Sequence, residues 1–202
     1  MLSADAIVKL HDDLTASWHT ESAGAQDSAS TDPWLERVAR QHRANFDLWH
    51  IEDEARTPSA SDAQLADVKR RIDRTNQLRN DLAEDLDRAL LDWLAPQRLP
   101  AENAELHSES PGLIIDRLSI LALKIYHTRK EAERTDCAPG HAERNRQRLA
   151  VLAEQRNDLA RCLDLLWRHT LAGTRRFKLY RQLKMYNDPT LNPAIYRNAP
   201  RG

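Results

Sequence analysis

The stretch SPGLIIDRLSILALKIYH, residues 110–127, decides the fold. Ser110 before Pro111 is a helix cap followed by a first-turn proline. Leu113, Ile114, Ile115, Leu118, Ile120, Leu121, Leu123 and Ile125 then recur at spacings of three and four on more than one side of the helix. A helix apolar on several sides must be surrounded by others, so this fourth helix is expected to be the most central element.

The flanking sequence supplies its neighbours. A short first helix is expected from about Ser3 to Trp18, with Ile7, Leu10 and Leu14 on one face, then a small polar linker, TESAGAQDSAST. Asp32-Pro33 repeats the cap-plus-proline signal and opens a second helix that runs to about Arg56, where Thr57-Pro58 ends it. Ser61 and Gln64 have capping-box spacing and open a third helix, whose stripe reads Leu65, Val68, Ile72, Leu82, Leu86, Trp93 before Pro96 closes it. Residues 97–110 form a connecting loop. After a break at Asp136–Gly140, a fifth helix runs from about His141 to Leu171, with Gly173 as its stop. The basic run TRRFKLYRQLKMY and a turn-rich tail follow. The expectation is one all-α domain over 1–202. Its four-helix core comes from two hairpins, 32–95 and 110–172. A short N-terminal helix and linker (1–31) and a C-terminal basic helix and tail (173–202) are added to it.

Composition narrows the function classes. Apolar residues make up 41% and charged residues 30%, with a mean hydropathy of -0.71, which suits long helices with one buried stripe. The formal net charge of -1 gives no global field to draw in nucleic acid or an anionic membrane. Cys137 and Cys162 cannot make a disulfide framework or a cysteine zinc site, which points to a reducing compartment. The N-terminus has no basic start or apolar run of signal-peptide length. The longest apolar stretch, Leu118–Ile125, falls far short of a membrane span. A cytoplasmic protein is expected.

The two hairpins read as diverged copies. RNDLA at 79–83 recurs at 156–160, and the same offset of 77 places His50 on His127, Glu54 on Glu131, Ala55 on Ala132 and Trp49 on Tyr126. One offset linking two separate segments suggests an internal duplication and an approximate two-fold axis.

Candidate chemistry sits where charge interrupts apolar stripes. Arg79 falls on Val68, Ile72, Thr75, Arg79, Leu82, Leu86, and Arg156 falls on Leu149, Leu152, Arg156, Leu159, Leu163. A buried arginine must be paired or must bind an anion. Acceptors are expected on the facing helices: Glu52 and Asp53 on the second, where Glu52 continues the stripe Leu35, Val38, His42, Asn45, Trp49, and Asp116 on the fourth. Arg117, Lys124 and His127 share one face of the fourth helix, and His50 lies beside Glu52. Three readings remain open. The first is a buried ion-pair network. The second is an anion pocket gripped by Arg79, Arg156, Arg117 and Lys124. The third is a metal site built from His50, Glu52, Asp53 and Asp116, although the Glu-x-x-His pairs of a di-iron bundle are absent. No nucleophile elbow, glycine-rich phosphate loop or HExxH motif is present. Ser119 has no obvious activating base in the sequence. The basic run is expected to dock as an amphipathic helix through Phe177 and Tyr180, leaving Arg175, Arg176, Lys178, Arg181 and Lys184 in water.

At NFDLWHIEDEAR and SESPGLIIDRLSILALKIYHTR, and again at IDRTNQLRND and NPAIY, the chain resembles an uncharacterised bacterial family, a domain of unknown function of about this length. The resemblance covers most of residues 30–197. It implies an all-helical bacterial protein whose relatives tend to lie near glycosyltransferase genes of surface-polysaccharide synthesis, and it carries no established catalytic residue.

The functional expectation is a cytosolic enzyme or binding protein for a phosphorylated or sugar-nucleotide-like metabolite. Arg79, Arg156, Arg117 and Lys124 would hold the anion. Glu52, Asp53 or Asp116 would act as base or metal ligand, assisted by His50 or His127. The alternative is a non-catalytic helical partner of a glycosyltransferase whose polar core is structural. A divalent metal and a homodimer are left open.

Overall fold

The computed structural model describes residues 2–20, 32–181, 190–193 and 197. Five α-helices dominate them: α1 (Ala4–Thr20), α2 (Pro33–Glu54), α3 (Asp62–Leu94), α4 (Pro111–Glu133) and α5 (His141–Leu171). Two short strands, β1 (Glu105–Leu106) and β2 (Arg175–Arg176), pair in parallel. The all-α class and the order of long helices follow the sequence signals. The polar linker 21–31 and most of the tail lie outside the described residues.

The helix boundaries have local causes. The Asp32 side chain accepts from the Trp34 N–H (2.9 Å). Ser61 and Gln64 form a reciprocal capping box. Ser110 caps α4. At the far end of α5 the backbone reverses through Gly173 at φ 69°, where Thr174 N–H returns to the His169 carbonyl (3.0 Å). That left-handed residue is a glycine because a side chain there is strained.

As expected, α4 is central: Ile114, Ile115, Leu118, Leu123 and Ile125 are buried, and α1, α2, α3 and α5 all touch it. Around it lie Ile7 of α1, Val38 of α2, Leu86, Leu90 and Leu94 of α3, and Leu163, Leu166 and Trp167 of α5. α3 and α4 approach each other closely at Gly112. A Cβ there would stand 2.3 Å from the Ala83 carbonyl oxygen and 2.9 Å from the Asp87 carboxylate. Asp87 instead accepts the Gly112 N–H at 2.6 Å, and burial raises its pKa to about 6.

Several expectations change. The first helix belongs to the core: Ala4, Ile7 and His11 of α1 are fully buried, and α1 contacts α2, α4 and α5. The N-terminal half of α3 runs past the core, because the helix, at about 50 Å, is longer than the elements that would cover it. Leu65 is therefore exposed, and Trp93 at the other end is 44% exposed. The expected basic C-terminal helix is absent from the described part of that segment. Arg175–Arg176 form β2, and residues 177–181 have no regular structure. Phe177 is buried as expected, whereas Tyr180 is 54% exposed.

The duplication meets the structure unevenly. α2 and α4 run side by side in the same direction, and His42 touches Ser119, 77 positions on. However, α3 packs on α4 while its counterpart α5 makes no approach to α2. α1 meets both α2 and α5 instead. The contacts do not make the two hairpins equivalent. No described helix is long and apolar enough to cross a membrane.

Candidate functional site

The polar interior is organised around Asp116. Its Oδ1 accepts from Gln41 Nε2 (2.6 Å) and Asn45 Nδ2 (2.9 Å) of α2, and from Arg79 Nε (2.7 Å) of α3. Its Oδ2 accepts from Arg79 Nη2, so the arginine–carboxylate pair is two-pronged. Asp116 is buried and Arg79 half-buried, and the carboxylate raises the guanidinium further above its ordinary range. The expected pairing of a stripe arginine with a carboxylate of the facing helix is met at Arg79–Asp116.

From Asn45 the network continues toward α1, and its proton directions can be worked out. The Thr15 hydroxyl donates to the His11 carbonyl (2.7 Å). Thr15 then has no proton for His42 Nε2 at 2.9 Å, so that nitrogen carries the hydrogen and donates. His42 Nδ1 is thus the acceptor, and the Ser119 hydroxyl donates to it at 2.7 Å. Ser119 in turn accepts from Asn45 Nδ2 at 2.9 Å, the same nitrogen that donates to Asp116. Burial drives the His42 pKa down to about 3, which keeps the ring neutral as this chain of bonds requires. Ser119 therefore does have a basic partner, contrary to the sequence reading. Both side chains are fully buried, so the pair holds α2 to α4 and presents no nucleophile to solvent.

A cleft of about 320 Å³ opens onto this network between α2, α3 and α4. Asn45 and Arg79 lie in its wall with Leu48, Ile120 and Leu123, and Trp49, Glu52, Asp53 and Arg56 complete the lining. Glu52 is ion-paired with Arg56 at 3.1 Å, and Asp53 is exposed with no ion pair among the described residues. Asp116 engages only Nε and Nη2 of Arg79, which leaves the two Nη1 hydrogens for whatever enters.

His50 and His127 lie behind this wall. The His127 ring stacks on Trp49 (centroids 4.6 Å apart, planes 2° apart), and the His50 ring is 6.2 Å from it. His50 Nδ1 donates to the Phe46 carbonyl (2.8 Å), and His19 of α1 sits against both histidines. Burial, then the neighbouring His19 and His50, lowers the His127 pKa to about 4. The two histidines back the aromatic wall and do not line the cleft.

The remaining candidates lie elsewhere. Arg156 pairs with Asp12 of α1 (3.0 and 2.8 Å), not with α2 or α4. The residue of α2 that would correspond to Asp116 at the repeat offset is Ala39, so α1 supplies the carboxylate. Arg117 is bound by Glu109 (2.8 Å), and with Lys124 it lines a separate hollow that shares only Ile120 with the cleft. The four cations therefore do not assemble into one anion pocket. Nor do His50, Glu52, Asp53 and Asp116 assemble as metal ligands: no group of three such side chains is placed to hold an ion among the described residues.

Gln41, Thr15 and Asp12 are not legible in the sequence, because the expected four-helix core leaves α1 out and no apolar stripe singles out Gln41. The usable signal was His42 and Asn45 sitting on the buried stripe of Val38. Comparison with curated proteins and with solved structures finds no match in either. The match found is a family model covering residues 35–179, which spans α3, α4 and α5 whole and most of α2; the chain belongs to that family, a protein family of unknown function (DUF4254).

Proposed function

We propose that this protein binds a phosphorylated or sugar-nucleotide-like metabolite in the cleft between α2, α3 and α4. The observation that carries this reading is the state of Arg79. Asp116 holds its guanidinium through Nε and Nη2, no hydrogen bond engages Nη1 among the described residues, and Arg79 lines the cleft. A fixed guanidinium edge is a preorganised donor for phosphate or carboxylate oxygens. Arg56 can add a second one by turning from Glu52. Trp49, held flat against His127, offers a ring face to a sugar or base, and Glu52 and Asp53 are the carboxylates in reach for proton transfer or a bridging cation. The resemblance to a family found beside glycosyltransferase genes directs the choice of metabolite to bacterial surface-glycan synthesis in the cytoplasm.

The test is thermal stabilisation by phosphorylated sugars and nucleotide sugars, with and without Mg²⁺, because a ligand specific to the native state raises the melting temperature. Stabilisation is expected in wild type and its loss in Arg79→Met/Asp116→Leu, provided the double variant still folds. No shift from any compound refutes the metabolite reading. A second reading, a non-catalytic partner of a glycosyltransferase, draws on the exposed Trp93 beside an apolar hollow lined by Leu2, Trp34 and Trp167.

A further inference from the structure

A different face of the molecule has the charge balance that the cleft lacks. Two hollows between α4 and α5, of about 490 and about 720 Å³, share Gln155 in their linings and follow one another as a single grooved face along α5. From Arg144 to Cys162 it spans about 27 Å at the helical rise per residue. The charges along it divide sharply. Arg117 is neutralised by Glu109, and Asp158 by Arg161. The Arg144 and Lys124 side chains have no hydrogen bond or ion pair among the described residues, and the Arg148 side chain has only a 3.4 Å bond to the neutral Asn145. Three cations thus remain uncommitted, and every carboxylate in the lining is paired.

The groove is also apolar underneath. Val151 is 53% exposed, and Leu152 and Leu121 are half-buried between the cations. Isolated anions would not use that floor, and a flat lipid surface would not reach into a concavity. The chain's own basic run, residues 174–186, is of like charge and is repelled. A rod with an apolar ridge and acidic flanks satisfies both the floor and the cations.

We propose that the α4/α5 groove is a docking site for an amphipathic helix of a partner protein, with its leucine-type ridge on Val151, Leu152 and Leu121 and its carboxylates against Arg144, Arg148 and Lys124. This site is separate from the metabolite cleft and stands without it.

The probe is a fluorescein-labelled peptide of about 18 residues, with leucine at spacings of three and four and glutamate at most other positions. It is titrated into the full-length protein and read by anisotropy. Saturable binding is expected, weakened at least about tenfold by Arg144→Glu/Arg148→Glu, by Lys124→Glu, and by raising salt from about 50 to about 500 mM. All three cations are on the surface, so the variants should melt like wild type. The same peptide with serine in place of leucine is expected not to bind. The proposal is overturned if the leucine peptide fails to bind at about 1 mM, if binding survives the charge reversals, or if the serine peptide binds equally, which would make the groove a polyanion surface. Self-association of the wild type that Arg144→Glu/Arg148→Glu abolishes would also overturn it, by making a second copy the occupant.

Discussion

Acidification should weaken this protein through His42, and the size of the effect can be worked out. The His42 ring is fully buried and its pKa falls from the ordinary 6.5 to about 3. In the unfolded chain it takes up a proton as pH drops below 6.5; in the folded chain it stays neutral until about 3. Its contribution is therefore complete above the unfolded pKa and is lost as pH falls from there toward the folded one. Between pH 7 and pH 5 the loss comes to about 2 kcal/mol, from the proton taken up by the unfolded state alone. His11, stacked on His42 at 4.5 Å, is lowered in the same direction, mainly by burial. Asp87 works the other way, since its raised pKa of about 6 makes the folded state the better proton acceptor. The clean measurement is therefore a difference. Glutamine at 42 can donate to Thr15 and accept from Ser119, yet it does not titrate. Urea unfolding of wild type and His42→Gln at pH 7 and pH 5 should show wild type losing about 2 kcal/mol more than the variant over that range. A stability gap that does not change with pH would show that His42 titrates normally in the folded protein, and the buried neutral chain of hydrogen bonds would be wrong.

Other outcomes follow from single contacts. Asp116→Leu should cost about 3–5 kcal/mol by leaving Arg79 without its partner, and adding Arg79→Met should restore only part of it in a denaturant melt, because Gln41 and Asn45 still lack their acceptor. Gly112→Ala should destabilise by about 1–3 kcal/mol, since its methyl group would meet the Ala83 carbonyl; an unchanged melting temperature would mean that α3 and α4 separate freely there. Phe177→Ala should cost about 3 kcal/mol and Tyr180→Ala less than about 0.5, which thermal melts of the two variants will separate.

The helices were legible because their ends carry chemistry: Asp32-Pro33, Ser61 with Gln64, Ser110-Pro111 and Gly173 each stop or start a helix for a local reason. The centrality of α4 was legible because Leu113–Ile125 is apolar on several sides. The place of α1 was not, because its apolar residues are few and its core face is completed by His11 and Thr15, which pattern reading counts as polar. The same blindness hid half of the site. Arg79 and Asp116 each stood out on an apolar stripe, and their pairing could be anticipated from the cost of a lone buried charge. Arg156 stood out equally, but its partner Asp12 lies 144 residues away on a helix that the sequence leaves outside the expected four-helix core. Strand pairing of Arg175–Arg176 with Glu105–Leu106 has no local signature, so a basic run with aromatics at helical spacing read as a helix.

The Asp116–Asn45–Ser119–His42 chain has a consequence for how α2 and α4 find their alignment. An interface of leucine, isoleucine and valine is tolerant: sliding one helix by a turn replaces one branched side chain with another at modest loss. The polar chain is not tolerant. A four-residue slip of α2 would set Phe46 and Trp49 where His42 and Asn45 now stand. The Ser119 hydroxyl would lose both its acceptor and its donor, and Asp116 would lose one of its amide partners. Each stranded buried group costs about 1–3 kcal/mol, so two or three of them rival the whole stability of a domain. The hydrogen-bonded chain thus works as a vernier for the parallel pair, indexing α2 against α4 to a single residue and fixing where Arg79 meets the cleft.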